Sequence, residues 1–253
     1  MVDGRSVSGA MATAGVVSVV GLAAFVLSGD SSGHRAMYSA SLRESFSQRE
    51  SPRTPAKERV VIVGDSLSTG HGTAPEDAWP SLINMDASLV MDRNLSVVNG
   101  AQDGAGYVSV GDGGGDFGSQ TAAWVTSDTQ VVLFFGSEND IGFDPNDVRH
   151  AAETAYAEAK TLAPQAELIV VGPPAYTDDP EPGLLEVRDQ LKAAAVSAGT
   201  VFVDPIEEHW IVDDAADLLG ADGDHPSLAG QHYLKDRMEQ LLAASPGHDK
   251  PGL

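Results

Sequence analysis

Apolar residues along this chain fall into two rhythms. Five short, continuous apolar runs lie at residues 59–64, 95–99, 130–136, 167–172 and 200–204, each rich in Val, Ile, Leu or Phe. Runs of this length without alternation predict strands buried on both faces, as in parallel sheets. Between them the pattern changes to a helical period. Helices are predicted over 77–91, 147–162, 183–198 and 227–244. Val148, Ala151, Ala152, Ala155 and Ala159 share one face of the second, and Leu184, Leu185, Val187, Leu191 and Ala195 one face of the third. In the fourth, Leu228, Tyr233, Leu234, Met238 and Leu241 supply the apolar positions. Strand and helix alternate throughout, with no internal repeat. This predicts an α/β fold in three layers, α/β/α, around a mainly parallel five-stranded sheet with right-handed crossovers.

The stretch before residue 58 reads differently. Ser6 to Gly29 contains no Asp, Glu, Lys, Arg or His. As a helix these residues would extend about 36 Å, enough to cross a bilayer core of roughly 30 Å. The expectation is a signal anchor or signal peptide over 1–29, a Ser-, Arg- and Pro-containing stalk over 30–57, a catalytic domain over 58–245 and a disordered tail over 246–253. A buried helix is the competing reading of the first segment. Arg35 and Arg43 follow the span and complicate its orientation. The expected location is nevertheless extracytoplasmic, anchored to the membrane or secreted.

Charge narrows the partners. The 253 residues carry a formal charge of −22, with +2 on residues 1–57 and −24 on the rest. Phosphate binding needs Lys and Arg, so a nucleic-acid partner is excluded as an expectation. No cysteine occurs. Thiolate nucleophiles, disulfides and cysteine-ligated metals are therefore ruled out. The abundance of Ala and Gly fits a high-GC bacterial composition.

In open α/β sheets, functional side chains collect where strands end. The first run ends in Gly64-Asp65-Ser66-Leu67, where Ser66 is either a nucleophile awaiting a base or a simple helix cap. The second ends in Asn99 and a glycine-rich stretch containing Gly104 and Gly106, which permits close backbone approach to a ligand or forms an ordinary turn. The third ends in Gly136-Ser137-Glu138-Asn139-Asp140, where Asn139 can offer an amide N–H to developing negative charge or bond locally. Late in the chain, Asp222-Gly223-Asp224-His225-Pro226 precedes the last helix. His225 can serve as a general base oriented by a carboxylate, or join the two acids around a metal.

Taken in order, these four strand-end features resemble the SGNH hydrolases, also called GDSL esterases/lipases. The resemblance spans about residues 58–242. Gly64-Asp65-Ser66-Leu67 is similar to the block that holds the nucleophile, and Asn99 with Gly104 to the second block. Asn139-Asp140 is similar to the third, and Asp222-x-x-His225-Pro226 to the last. Two residues, Ser137 and Glu138, separate glycine from asparagine in the third block, where the family usually has one. The resemblance implies a flavodoxin-like SGNH fold and a serine esterase. Ser66, His225 and Asp222 would form its triad, and Ser66 N–H, Gly104 N–H and the Asn139 side chain its oxyanion hole. It implies no cofactor and no metal. The substrate expected is a small-molecule or carbohydrate ester with a short acyl group such as O-acetyl. Lipase, lysophospholipase, acyltransferase and a non-catalytic binding module are the alternatives. A monomer is expected, touching the membrane only through its N-terminal span.

Other features carry less. Gly113 to Gly118 spells G-x-G-x-x-G but lacks a preceding strand, so a glycine-rich loop is expected there. His150 is expected at the surface. Trp79, Trp124 and Trp210 are expected in the core or a pocket wall. His71 is either a pocket residue or a plain loop position. Asn94-Leu95-Ser96 fits a glycosylation sequon, a pattern short enough to arise by chance.

Overall fold

The structure is a computed structural model and describes residues 57–86 and 93–244. The proposed anchor, stalk and tail lie outside the described residues. Five strands form one wholly parallel sheet: β1 (Glu58–Gly64), β2 (Leu95–Asn99), β3 (Thr129–Phe135), β4 (Glu167–Val171) and β5 (Val201–Val203). Their spatial order is β2-β1-β3-β4-β5. The order reverses between β1 and β3, which pair from Arg59↔Thr129 to Gly64↔Phe135. A crevice opens at the carboxyl ends of two such strands, because their following chains leave in opposite directions.

The inner strands β1, β3 and β4 are covered on both faces, which is why they read as continuous apolar runs. The edge strands β2 and β5, expected to be buried alike, are only partly so. Val60, Ile62, Leu133 and Phe135 face one side, packed with Trp79 and Ile83 from α2 (Trp79–Asp86) and with Leu234, Met238 and Leu242 from the C-terminal helix α7 (Leu228–Ala244). Val61, Val63, Val132 and Phe134 face the other. There they meet α3 (Phe117–Trp124), α4 (Pro145–Leu162) and α5 (Pro182–Ala198). A short helix α1 (Ser66–Thr69) follows β1, and another, α6 (Ala215–Leu218), precedes the loop to α7. Among the described residues, no helix is long and apolar enough to cross a membrane.

Several boundaries differ from expectation. The helix expected over 77–91 begins at Trp79, after a 3-10 turn over Pro75–Asp77. Helix α4 starts at Pro145 because Asp144 caps it by accepting the Asn146 N–H at 2.9 Å, and proline at the first position sacrifices no bond. Helix α3 was not predicted at all. Its middle is Gly, Ser, Gln and Thr, and its inward face buries polar Gln120 and Thr121 beside Phe117. Leu228, expected on the apolar face of α7, is half exposed, and Trp124 is 44% exposed rather than in the core. Trp79 and Trp210 are buried and His150 is exposed, as expected. The glycine-rich loop expected over 113–118 ends at Asp116, which caps α3, so Phe117 and Gly118 are helical. Gly113 and Gly115 pack on the Gln102 side chain, whose Oε1 accepts the Gly115 N–H at 3.1 Å.

Candidate active site

Ser66 sits on the first residue of α1, directly after β1. Asp65 caps that helix through Oδ1, which accepts the Leu67 N–H at 3.0 Å. Gly70 ends it in the left-handed region at φ 82°, where a Cβ would stand 2.8 Å from the Ala78 Cβ. The turn is therefore short for two local reasons, and Ser66 is fixed at the mouth of the crevice with 7% of its surface exposed. Asn99, at the end of β2, donates its side-chain amide to the Ser68 carbonyl at 2.8 Å and so ties the second strand end to this turn.

His225 approaches from the far end of the chain. Its loop is closed by paired main-chain bonds. Gly220 N–H donates to the His225 carbonyl at 2.7 Å and Ser227 N–H to the Leu218 carbonyl at 2.8 Å. Gly230 lets α7 pack on this loop, since a Cβ there would lie 2.1 Å from the Leu218 carbonyl oxygen. His225 Nε2 stands 3.1 Å from Ser66 Oγ, and Nδ1 stands 2.9 Å from Asp222 Oδ2. Asp222 Oδ1 also accepts the Asp224 and His225 N–H groups, each at 3.1 Å. The His225 bond, followed by these two backbone donors, holds the Asp222 carboxyl well below the ordinary carboxylate range. An ionised, fixed Asp222 leaves Nδ1 protonated and Nε2 free to accept a proton from the serine.

Asp224 is exposed, and its charge acts on Glu138 and Tyr176. The structure thus brings Ser66, His225 and Asp222 into one hydrogen-bonded line and leaves Asp224 outside it. Among the described residues, no group of three or more acids and histidines has the arrangement of a metal site.

The other two predicted residues, Gly104 and Asn139, meet at the loop after β2, where Asn139 bonds to Ala105. Gly104 adopts φ 72°, and the nearest atom to a Cβ there would be 3.9 Å away, so backbone conformation rather than crowding calls for glycine. Asn139 donates its side-chain amide to the Ala105 carbonyl at 2.9 Å, one residue along from Gly104. That bond uses one of its two amide hydrogens. Ser66 N–H and Gly104 N–H have no hydrogen-bond partner among the described residues.

The extra residue in the third block, Glu138, is half-buried near Asp65 and reaches the Tyr176 hydroxyl at 3.4 Å. Burial, reinforced by the Asp65 charge, pushes Glu138 up to about 8, and burial pushes Asp65 up to about 7. Gln120 also escaped the sequence reading. Its side chain accepts the Gly64 N–H and donates to the Gly64 carbonyl, both at 2.9 Å, pinning the residue two before Ser66. A buried glutamine on a polar helix gives no periodic signal that could have revealed it.

Residues 62–233 match the model of the GDSL-like Lipase/Acylhydrolase family. The chain belongs to that family. It is 39% identical over 191 residues to the GDSL lipase Rv0518 of Mycobacterium tuberculosis, spanning 73% of this chain and 81% of that one. Among solved structures it resembles TesA, with a TM-score of 0.61 and 19% identity over 75% of this chain and 99% of TesA. It also resembles Est24, a carbohydrate acetylesterase from Sinorhizobium meliloti, with a TM-score of 0.55 and 17% identity over 74% and 99% of the two chains. These structural likenesses share the fold of SGNH hydrolases. As a member of the GDSL family, the protein is an ester hydrolase.

Proposed function

We propose that the protein is a serine esterase in which Ser66 is the nucleophile, His225 the general base and Asp222 the residue that orients it. The observation that carries this reading is the unbroken line from Ser66 Oγ through both His225 nitrogens to Asp222. As Ser66 Oγ bonds to the ester carbonyl carbon, its proton passes to His225 Nε2. Asp222 stabilises the imidazolium without taking its proton. The C–O bond to the alcohol then breaks, and His225 returns the proton to the departing oxygen. Water repeats the sequence on the acyl-enzyme and releases the acid. The proposed oxyanion donors are Ser66 N–H, Gly104 N–H and the second amide hydrogen of Asn139. Main-chain donors without other partners are suited to that task.

The substrate proposed is a carboxylic ester with a short acyl group, such as O-acetyl on carbohydrate. A cavity of about 510 Å³ adjoins His225 and is lined in part by Thr73, Asp77, Asp222, Ser227 and Leu228. Its walls are mixed, with Ala74, Ala221, Pro226 and Leu228 beside the Asp77 carboxylate, as in a site that holds a small alcohol by apolar contact and orients it by a few polar groups. The fold likeness to a carbohydrate acetylesterase is compatible with this choice. Lipase, lysophospholipase or acyltransferase activity is the alternative within the same site. The charge-free run at 6–29 supports an exported or membrane-anchored domain acting on envelope esters.

Labelling with a fluorophosphonate, followed by mass spectrometry of the modified peptide, tests the nucleophile. The label is expected on Ser66, and Ser66→Ala is expected to lose about 10⁴-fold or more in kcat. Labelling elsewhere, or activity within tenfold of wild type, would sink the assignment. Rates on p-nitrophenyl esters from acetate to palmitate test the acyl preference, which predicts a steep fall beyond butyrate.

A further inference from the structure

A second histidine stands against His225. The His71 ring lies 4.2 Å from the His225 ring, centroid to centroid, at an interplanar angle of 37°. Its Nδ1 is 2.6 Å from Asp103 Oδ2, and the other oxygen of Asp103 accepts the Thr69 hydroxyl. Two histidine–carboxylate pairs therefore sit side by side at the crevice. Asp222 holds His225, which faces Ser66. Asp103 holds His71, which is exposed and bonded to no nucleophile.

The position of His71 follows from the turn that presents the serine. Gly70 ends α1 in the left-handed region, and the next N–H, that of His71, returns to the Ser66 carbonyl at 3.4 Å. Asp103 comes from the loop after β2, immediately before Gly104. The pair thus links the nucleophile turn to the second loop of the site. The charged groups that act on His71 are Asp103, Asp222 and Asp112, all negative, and the hydrogen bond to Asp103 is the strongest influence raising its proton affinity.

His225 must be neutral before it can take a proton from Ser66. It is bonded to Asp222 and also feels Asp103, while Asp224 is its sequence neighbour. Carboxylates around an imidazole favour its charged form, and a cation in ring contact opposes it. We propose that His71, held cationic by Asp103, is a positioning residue that acts through His225 and keeps it in the neutral, proton-accepting form at mildly acid pH. The His71–Asp103 pair has no net charge, but its positive member is the one in ring contact with His225. Loss of His71 removes that cation and leaves Asp103 uncompensated. Both changes favour a protonated His225, so the pH at which activity falls moves upward.

This inference rests on His225 being the base, and the experiment separates the two ideas. The pH dependence of kcat/KM is measured from pH 4.5 to 9 on one chromogenic acetate ester for wild type, His71→Gln and His71→Lys, with Ser66→Ala as control. The His225 ring is titrated by NMR in the same proteins. With glutamine at 71, the acid limb and the His225 titration should both rise by roughly half to one pH unit, about a three- to tenfold change in proton affinity. With lysine at 71 the positive charge remains, and both should stay near wild type. An unmoved acid limb and titration in His71→Gln, or a lysine variant that shifts as far as the glutamine one, would overturn the proposal while the triad reading stands. Turnover retained by Ser66→Ala would instead overturn the triad reading itself.

Discussion

Asp140 Oδ2 accepts the backbone N–H of Tyr107 at 2.7 Å, across the gap between the third and second strand ends. Its Oδ1 accepts the N–H groups of Val108 and Ser109, each at 2.9 Å. One buried carboxylate therefore gathers three consecutive main-chain donors and fixes the loop that carries Gly104. Gly106 is required by the same contact, since a Cβ there would lie 2.5 Å from Asp140 Oδ1.

Asp140→Asn is therefore expected to be costly. An amide has only one oxygen, so its NH₂ group would face at least one of these N–H donors. The loss should be about 1–3 kcal/mol of stability. Activity at a temperature where the variant is folded should fall through kcat, because the loop holding Gly104 is loosened. Urea unfolding curves and kinetics on a chromogenic ester check this. A variant as stable and active as wild type would mean that the three bonds are dispensable.

A second expectation concerns pH and stability. Burial raises Asp65 from 3.8 to about 7 and Glu138 from 4.5 to about 8. The native state thus holds protons that the unfolded chain has already released between about pH 4 and pH 8. Stability contributed by these groups is greatest at the acid end and is lost as pH rises through that window. Asp65→Asn keeps the capping oxygen and removes the ionisation. Its melting temperature should vary less than that of wild type between pH 5 and 8. At pH 8 it should melt higher, by roughly 3 °C or more. A wild-type protein whose stability rises steadily from pH 5 to 8, with the variant following in parallel, would contradict the sign.

The shift in composition near residue 57 motivates a third. A chain beginning at Lys57 should be soluble and active, since every proposed site residue lies downstream. Attached to the full chain, the domain should be digested by protease added to intact spheroplasts. Aggregation of the shortened chain, rescued only by restoring residues 6–29, would make that run part of the core. Protection in spheroplasts with digestion after lysis would place the domain inside.

What could be read from the sequence follows the physics of each feature. The strands were legible because β1, β3 and β4 are buried on both faces, and such runs need no partner to be recognised. Ser66 stood out because it opens an element two residues after the glycine that ends β1, and His225 because it precedes a proline in the loop before the last helix. Helix α3 was invisible because Gln120 and Thr121 point inward where apolar residues are expected. The bonds from Gln120 to Gly64, from Asn99 to Ser68 and from His71 to Asp103 join distant segments. No local pattern encodes such pairs; only the fold supplies them. Leu228 misled for a related reason. It keeps the helical period, yet it lies beside the cavity at His225 rather than against the sheet.

Composition cannot say which acid serves His225, since Asp222 and Asp224 lie three residues and one residue away. Geometry separates them. Asp222 Oδ2 bonds to Nδ1, and its Oδ1 is fixed by two backbone N–H groups, so the carboxylate has one orientation. Asp224 is exposed on the other side of Gly223, which takes φ 74° and turns the chain between them. In Asp222→Asn, the amide can still bond to the ring, but it stabilises no imidazolium and can hold the wrong tautomer. The expected loss in kcat is as much as about 10⁴-fold, partly relieved at high pH. Removing the Asp224 charge touches no bond to His225 and should cost less than roughly tenfold. Both variants are to be compared on one acetate ester, with circular dichroism confirming the fold. Should Asp224→Asn prove the more damaging, His225 must be served in turnover by a loop conformation in which the two acids exchange places. The hydrogen-bonded line from Ser66 to Asp222 would then describe a resting arrangement rather than the reacting one.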